Sequence, residues 1–142
     1  MMHLFDKTSG DCSRITAENY STSFASAIKL LHKDLRNDIY NIYGFVRFTD
    51  EIVDTFHDYN KEALLQKFCN ETYEAIESGI SLNPILHSFQ LTVNKHQLDI
   101  SLIDAFFRSM KSDLKTICYN EDLYEEYIYG SAEVVGLMCL YI

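Results

Sequence analysis

Asp50 and Asp54 stand four residues apart in the stretch "RFTDEIVD", with Arg47 three residues ahead of the first. A helix advances about 100° per residue, so this spacing puts all three side chains on one stripe, which Tyr43 joins. Carboxylates at i and i+4 have Cβ atoms about 6 Å apart and repel by a few tenths of a kcal/mol. A Mg²⁺ ion would reverse that sign. It takes carboxylate oxygens, keeps several waters and bridges to phosphate oxygens. An arginine on the same stripe suits phosphate, because its planar fork of donors matches the oxygens in pairs. A cation and an arginine together stabilise a departing diphosphate. A plainer reading stands beside this one: two aspartates on a solvated face, with Arg47 paired to Glu51 or Asp54.

The helix that carries the stripe is the clearest in the sequence. Leu35, Ile39, Ile42, Val46, Thr49, Val53 and Phe56 recur at alternating spacings of four and three. They form one continuous apolar face. The stripe lies about 90° from the centre of that face, with Glu51 and Asp58 further out towards water. Before it, residues 15–31 read as a first helix, kept slim by Ser21, Ser23, Ala25 and Ala27. After it, residues 61–79 read as a helix ended by Gly79. Asn83 and Pro84 start the next, Ser101 caps another, and Asn120 caps a last one that runs towards the end. Gly130 and Gly136 inside that last helix each cost about 1 kcal/mol relative to Ala, which predicts close packing or a kink. With five glycines, one proline and 47% hydrophobic residues, the chain reads as all-α.

Composition excludes several classes. A net charge of −9 makes nucleic acid a poor partner, since phosphate neutralisation needs clustered Lys and Arg. The four cysteines form no close pair, and "MMHLFDKTSG" holds no apolar leader, so a reduced, cytoplasmic protein is expected. No apolar run is long enough to span a bilayer. His3, His32, His57, His87 and His96 lack metal-binding spacing and are expected at surface or boundary positions. The closing run "VVGLMCLYI" has no polar tail, which predicts a truncated chain whose apolar faces drive self-association.

Four stretches in order, "STSFASAIKLL", "IYGFVRFTDEIVD", "SMKSDL" and "YIYGSAEVVGLM", resemble successive signatures of the squalene and phytoene synthase family, the phytoene synthases above all. The resemblance covers residues 21–138. It implies the N-terminal portion of a single all-α isoprenoid-synthase domain over residues 1–142, with no internal boundary. The implied activity is Mg²⁺-dependent head-to-head condensation of two prenyl diphosphates, geranylgeranyl diphosphate first, releasing diphosphate in carotenoid biosynthesis. Squalene or dehydrosqualene synthesis from farnesyl diphosphate is the alternative. By matching motif, Asp50 and Asp54 would bind Mg²⁺ and Arg47 would contact diphosphate, with Tyr43 beside them. Ser21 and Phe24 would border the substrate, Tyr127 would point at the reacting carbons, and Gly136 would mark a close-packed cavity helix. The lipophilic product implies peripheral contact with a membrane.

The family carries a second aspartate-rich motif on a later helix, and no aspartate pair of this spacing follows Asp58 here. The chain alone is therefore expected to be inactive. Two other classes stay open. One is a non-catalytic helical interaction module. The other is an all-α Mg²⁺ pyrophosphohydrolase, for which Glu121, Asp122, Glu125 and Glu126 are the dense acidic candidates. Asp113 reads either as facing the cavity mouth or as pairing with Lys111 or Lys115.

Overall fold

The computed structural model describes residues 1–115 and 121–142, and among these it contains helix and no strand. The elements are α1 (Met2–Tyr20), α2 (Thr22–Ile28), α3 (Lys33–Asp54), α4 (Lys61–Ser78), α5 (Pro84–His96), α6 (Ile100–Lys115), α7 (Glu121–Ile128), one π-helical turn (Tyr129–Glu133) and α8 (Val134–Leu140). The expected cap at Asn120 lies outside the described residues. No helix among the described residues is long and apolar enough to cross a membrane.

Several boundaries fall where the sequence signals put them. Asn83 Oδ1 accepts from the backbone N–H of Ile85 and Leu86, with Pro84 at the first helical position. Gly79 ends α4 in the left-handed region at φ 73. Others shift. The expected first helix is two helices broken at Ser21, whose extended backbone (φ −147, ψ 94) caps α2 through a bond from Phe24 N–H. Ser9, Ser13 and Ala17 on α1 are the buried small residues, whereas Ser23 and Ala27 are exposed. Asp99, rather than Ser101, caps α6, accepting from Ser101 N–H at 2.9 Å.

α3 is the hub, packed against α1, α4, α5, α6 and α8. Its buried arc is centred on Phe45, fully enclosed among Phe68, Phe89, Phe106 and Phe107. Gly44 lets α1 come close: a Cβ there would lie 2.8 Å from Ser13 Oγ. Ser13 in turn hydrogen-bonds Ser88 of α5 at 2.7 Å. Polar groups also knit α3 to α5. Asn41 donates to Thr92, and Thr92 donates to Asp38. Lys95 and His96 Nε2 lie 3.1 and 2.9 Å from the other Asp38 oxygen. Burial opposes the Asp38 charge, but bonds from His96, Thr92 and Lys95 outweigh it and hold its carboxyl below the ordinary range.

His87 corrects the expectation for histidines. It is fully buried, its Nε2 2.7 Å from Asp6 Oδ1 and its Nδ1 accepting from Ser81 N–H. Phe5 meets the same ring edge-on. The histidine therefore ties the start of α1 to α5.

A π-helical turn interrupts the last helix. Gly130 sits there against α6, where a Cβ would collide with Ser109 Oγ and lie 2.5 Å from the Ala105 carbonyl oxygen. Gly136 is different. It is exposed, with nothing within 4 Å of an added Cβ, so the expected close packing does not occur there. Gly130→Ala should therefore cost about 1–3 kcal/mol through overpacking. Gly136→Ala should be neutral or stabilising by up to about 1 kcal/mol through helix propensity. Urea unfolding of the two variants checks the contrast, and equal effects would refute it.

Candidate functional site

The side of α3 away from Phe45 carries Tyr43, Arg47, Asp50 and Asp54. Tyr43 is half-buried, and Phe24 stacks on it with ring centroids 4.8 Å apart and planes at 25°. The break at Ser21 is what turns Phe24 towards α3. Phe24 and Tyr43 pack on a small apolar cluster of Ala17, Ile28, Ile39 and Tyr40, which Cys139 and Ile142 of the chain's last residues also touch. The polar stripe thus borders an apolar wall.

Arg47 donates from Nη2 to Glu51 Oε1, and its guanidinium lies 4.7 Å from the centroid of the Tyr20 ring. Its Nε is buried and has no hydrogen-bond partner. Glu51 was expected to point to water, yet only 15% of its side chain is exposed, because Arg47 draws it back along the helix. The hydrogen bond and the charge of Arg47 hold the Glu51 carboxyl below the usual range, with smaller help from Thr55 and Tyr20.

Asp50 is half-buried and Asp54 is exposed. Burial pushes the Asp50 carboxyl up to about 6, and Asp54, Asp113 and Glu51 add to the rise while Arg47 opposes it. Asp113 therefore belongs to the surroundings of Asp50, across the α3–α6 contact. Such a crowd of carboxylates is short of positive charge. Its donors are all hard oxygens, the set that suits Mg²⁺ or Ca²⁺ rather than a thiolate-seeking metal. Among the described residues no three His, Cys, Asp or Glu side chains converge closely enough to hold an ion by themselves. Two carboxylates with waters and ligand phosphates are nevertheless a usual Mg²⁺ arrangement, so the residues present fit that ion in its phosphate-bridged form.

The other expected site residues are more scattered. Ser21 is the cap of α2. Tyr127 is half-buried on α7 and packs against the main core beside the π turn, where Ser131 donates to its carbonyl oxygen at 2.7 Å. Gly136 lies exposed on α8. Glu121, Asp122, Glu125 and Glu126 are exposed, and Glu126 pairs loosely with Arg108. Asp34 and Asp38 repeat the Asp50–Asp54 spacing, but Asp38 is committed to Thr92, Lys95 and His96.

Tyr20 and Glu51 were not legible as site residues. Tyr20 lies on another helix, and no periodicity links it to Arg47.

The raised Asp50 carboxyl has a consequence for stability. Between about pH 4 and 6 the folded chain holds a proton there that the unfolded chain has released, so stability falls as pH rises through that window. Asp50→Asn should stabilise the metal-free chain by about 1–2 kcal/mol at pH 7, and the gain should vanish near pH 4. Urea melts at the two pH values test this, and a gain independent of pH would contradict it.

Comparisons with known proteins agree with the fold and with the family resemblance. Residues 17–142 match the family model of squalene/phytoene synthase. The chain is 30% identical over 130 residues to phytoene synthase of Arthrospira platensis, covering 91% of this chain and 42% of that one. It is 29% identical over 138 residues to chloroplastic phytoene synthase 1 of Zea mays, covering 89% of this chain and 31% of that one. It therefore spans well under half the length of these relatives. A crystal structure of a dehydrosqualene synthase in complex with ligand superposes with a TM-score of 0.83 at 21% identity, over 95% of this chain and 47% of that chain. That likeness shows a shared all-α fold. On the family match over most of its length, the chain belongs to the squalene/phytoene synthase family.

Proposed function

We propose that residues 1–142 form the N-terminal portion of a single isoprenoid-synthase domain that binds a prenyl diphosphate and condenses two such molecules head to head. The carrying observation is the Asp50 carboxyl, driven towards its neutral form by burial and by Asp54 and Asp113, on a stripe that runs into an apolar wall. A ligand with a charged head, counter-ions and a long apolar tail answers both halves of that surface. Geranylgeranyl diphosphate is the favoured substrate, because the curated relatives are phytoene synthases. Farnesyl diphosphate is the alternative.

Asp50 and Asp54 would hold Mg²⁺, which supplies the charge that neutralises a leaving diphosphate. Arg47 would donate to phosphate oxygens from the guanidinium N–H groups that Glu51 does not take. Ser21 fixes the start of α2, so that Phe24 and Tyr43 line the entrance to the tail region. Tyr127 would face the reacting carbons, and Gly136 would leave room beside them. The remaining carboxylates would come from residues beyond these 142, so the chain alone should be inactive. The exposed apolar side chains Leu137, Leu140 and Tyr141 would then close against those later helices or against a second copy.

One observation favours a second reading, a non-catalytic helical module: no three candidate ligands converge among the described residues. Calorimetry with magnesium pyrophosphate separates the two. The wild-type chain should bind with a Kd of roughly 0.1–1 mM, equivalent to about 4–5.5 kcal/mol. Asp50→Ala should weaken this about tenfold. Binding unaffected by Asp50→Ala, or no binding, would favour the module. Release of diphosphate from geranylgeranyl diphosphate by the 142-residue chain would refute its inactivity.

A further inference from the structure

We propose that Tyr20 and Glu51 are positioning residues that clamp Arg47 as a preformed phosphate-binding fork, an inference that rests on the reading of this site as a diphosphate site.

Two contacts form the clamp. The face of the Tyr20 ring lies against the Arg47 guanidinium, with 4.7 Å from its central carbon to the ring centroid. Arg47 Nη2 donates to Glu51. Tyr20 and Thr55 also help to hold the Glu51 carboxyl below the usual range.

The chain break at Ser21 builds this arrangement. Tyr20 is the last residue of α1, and Phe24 lies in the first turn of α2. The two rings stand four residues apart across the break, and they meet two α3 side chains that are also four apart. Tyr20 covers Arg47 and Phe24 covers Tyr43. One short hinge thereby orders the charged and the apolar end of the same stripe.

Glu51 takes only one of the five guanidinium N–H groups. Arg47 Nε–H is buried without a partner, which is costly for so polar a group. An anionic oxygen placed there would relieve that cost. A free arginine would also lose side-chain freedom on gripping a ligand, and a clamped one has lost it already. Glu51 thus has a role distinct from its neighbours Asp50 and Asp54. Its charge is matched by Arg47, whereas that of Asp50 is opposed by its surroundings.

Arginine side-chain NMR of the 142-residue chain tests this, with Arg47→Lys identifying the Arg47 signal. The wild type should show an Arg47 Nε–H resonance moved upfield by the Tyr20 ring and slow to exchange with water. Tyr20→Phe, which keeps the ring, should retain the upfield shift. Tyr20→Leu should abolish it and speed exchange, with helicity unchanged because Tyr20 is half exposed. Titration with magnesium pyrophosphate should move the Arg47 signal, with affinity about two- to five-fold weaker in Tyr20→Leu than in wild type or Tyr20→Phe. An Arg47 signal indifferent to Tyr20→Leu would overturn the clamp, and so would equal affinities. A ring-shifted Arg47 signal that pyrophosphate leaves unmoved would instead overturn the diphosphate site, and the positioning role with it.

Discussion

Phe45 is where the helices of this chain meet. It stacks on Phe89 of α5 with centroids 3.9 Å apart, and Phe68 of α4 and Phe106 and Phe107 of α6 lie within 5.9 Å. Aromatic pairs at such distances add to the burial of their large surfaces. The contact fixes the rotation of α3 about its own axis. At about 100° per residue, Tyr43, Arg47, Asp50 and Asp54 fall roughly 140–200° from Phe45. They are held on the far side of a helix that cannot roll, which is what a site needs from its scaffold.

The stripe has a character that solvated helix faces lack. Asp50 is crowded by like charge and half withdrawn from water. Arg47, whose charge opposes the upward shift of the Asp50 carboxyl, is already committed to Glu51. The fold therefore carries an arrangement that is unfavourable as it stands and that a bound cation would relieve. Such local conflict is expected where function sets the residue types rather than stability. The apolar cluster behind Phe24 and Tyr43 continues the same surface as an apolar wall.

The helical class and the stripe were legible because periodicity reports helices well. Caps at Asn83 and Gly79 were legible because Pro after Asn and Gly after an apolar run have local physical causes. The centre of the α3 face was not. Asp38, Asn41 and Gly44 flank Phe45 and look like surface residues, yet Asp38 and Asn41 are buried through hydrogen bonds to α5, and Gly44 through contact with α1. The apparent face was therefore displaced by roughly 60° towards Val46 and Val53. The break at Ser21 was missed because nothing in "NYSTSF" forbids a continuous helix. His87 was misplaced because its burial depends on Asp6, distant in sequence. Gly130 and Gly136 looked alike, and only tertiary contact with Ser109 tells them apart.

The most direct test of the α3 stripe as a cation and diphosphate site is paramagnetic broadening of backbone amide signals by Mn²⁺, with and without pyrophosphate. Manganese is a hard divalent ion that takes the same oxygen ligands as Mg²⁺. Broadening should appear first around residues 47–54 and 113, strengthen with pyrophosphate, and disappear in Asp50→Asn. Broadening centred on the acidic start of α7, or spread evenly over the acidic surface, would contradict the account.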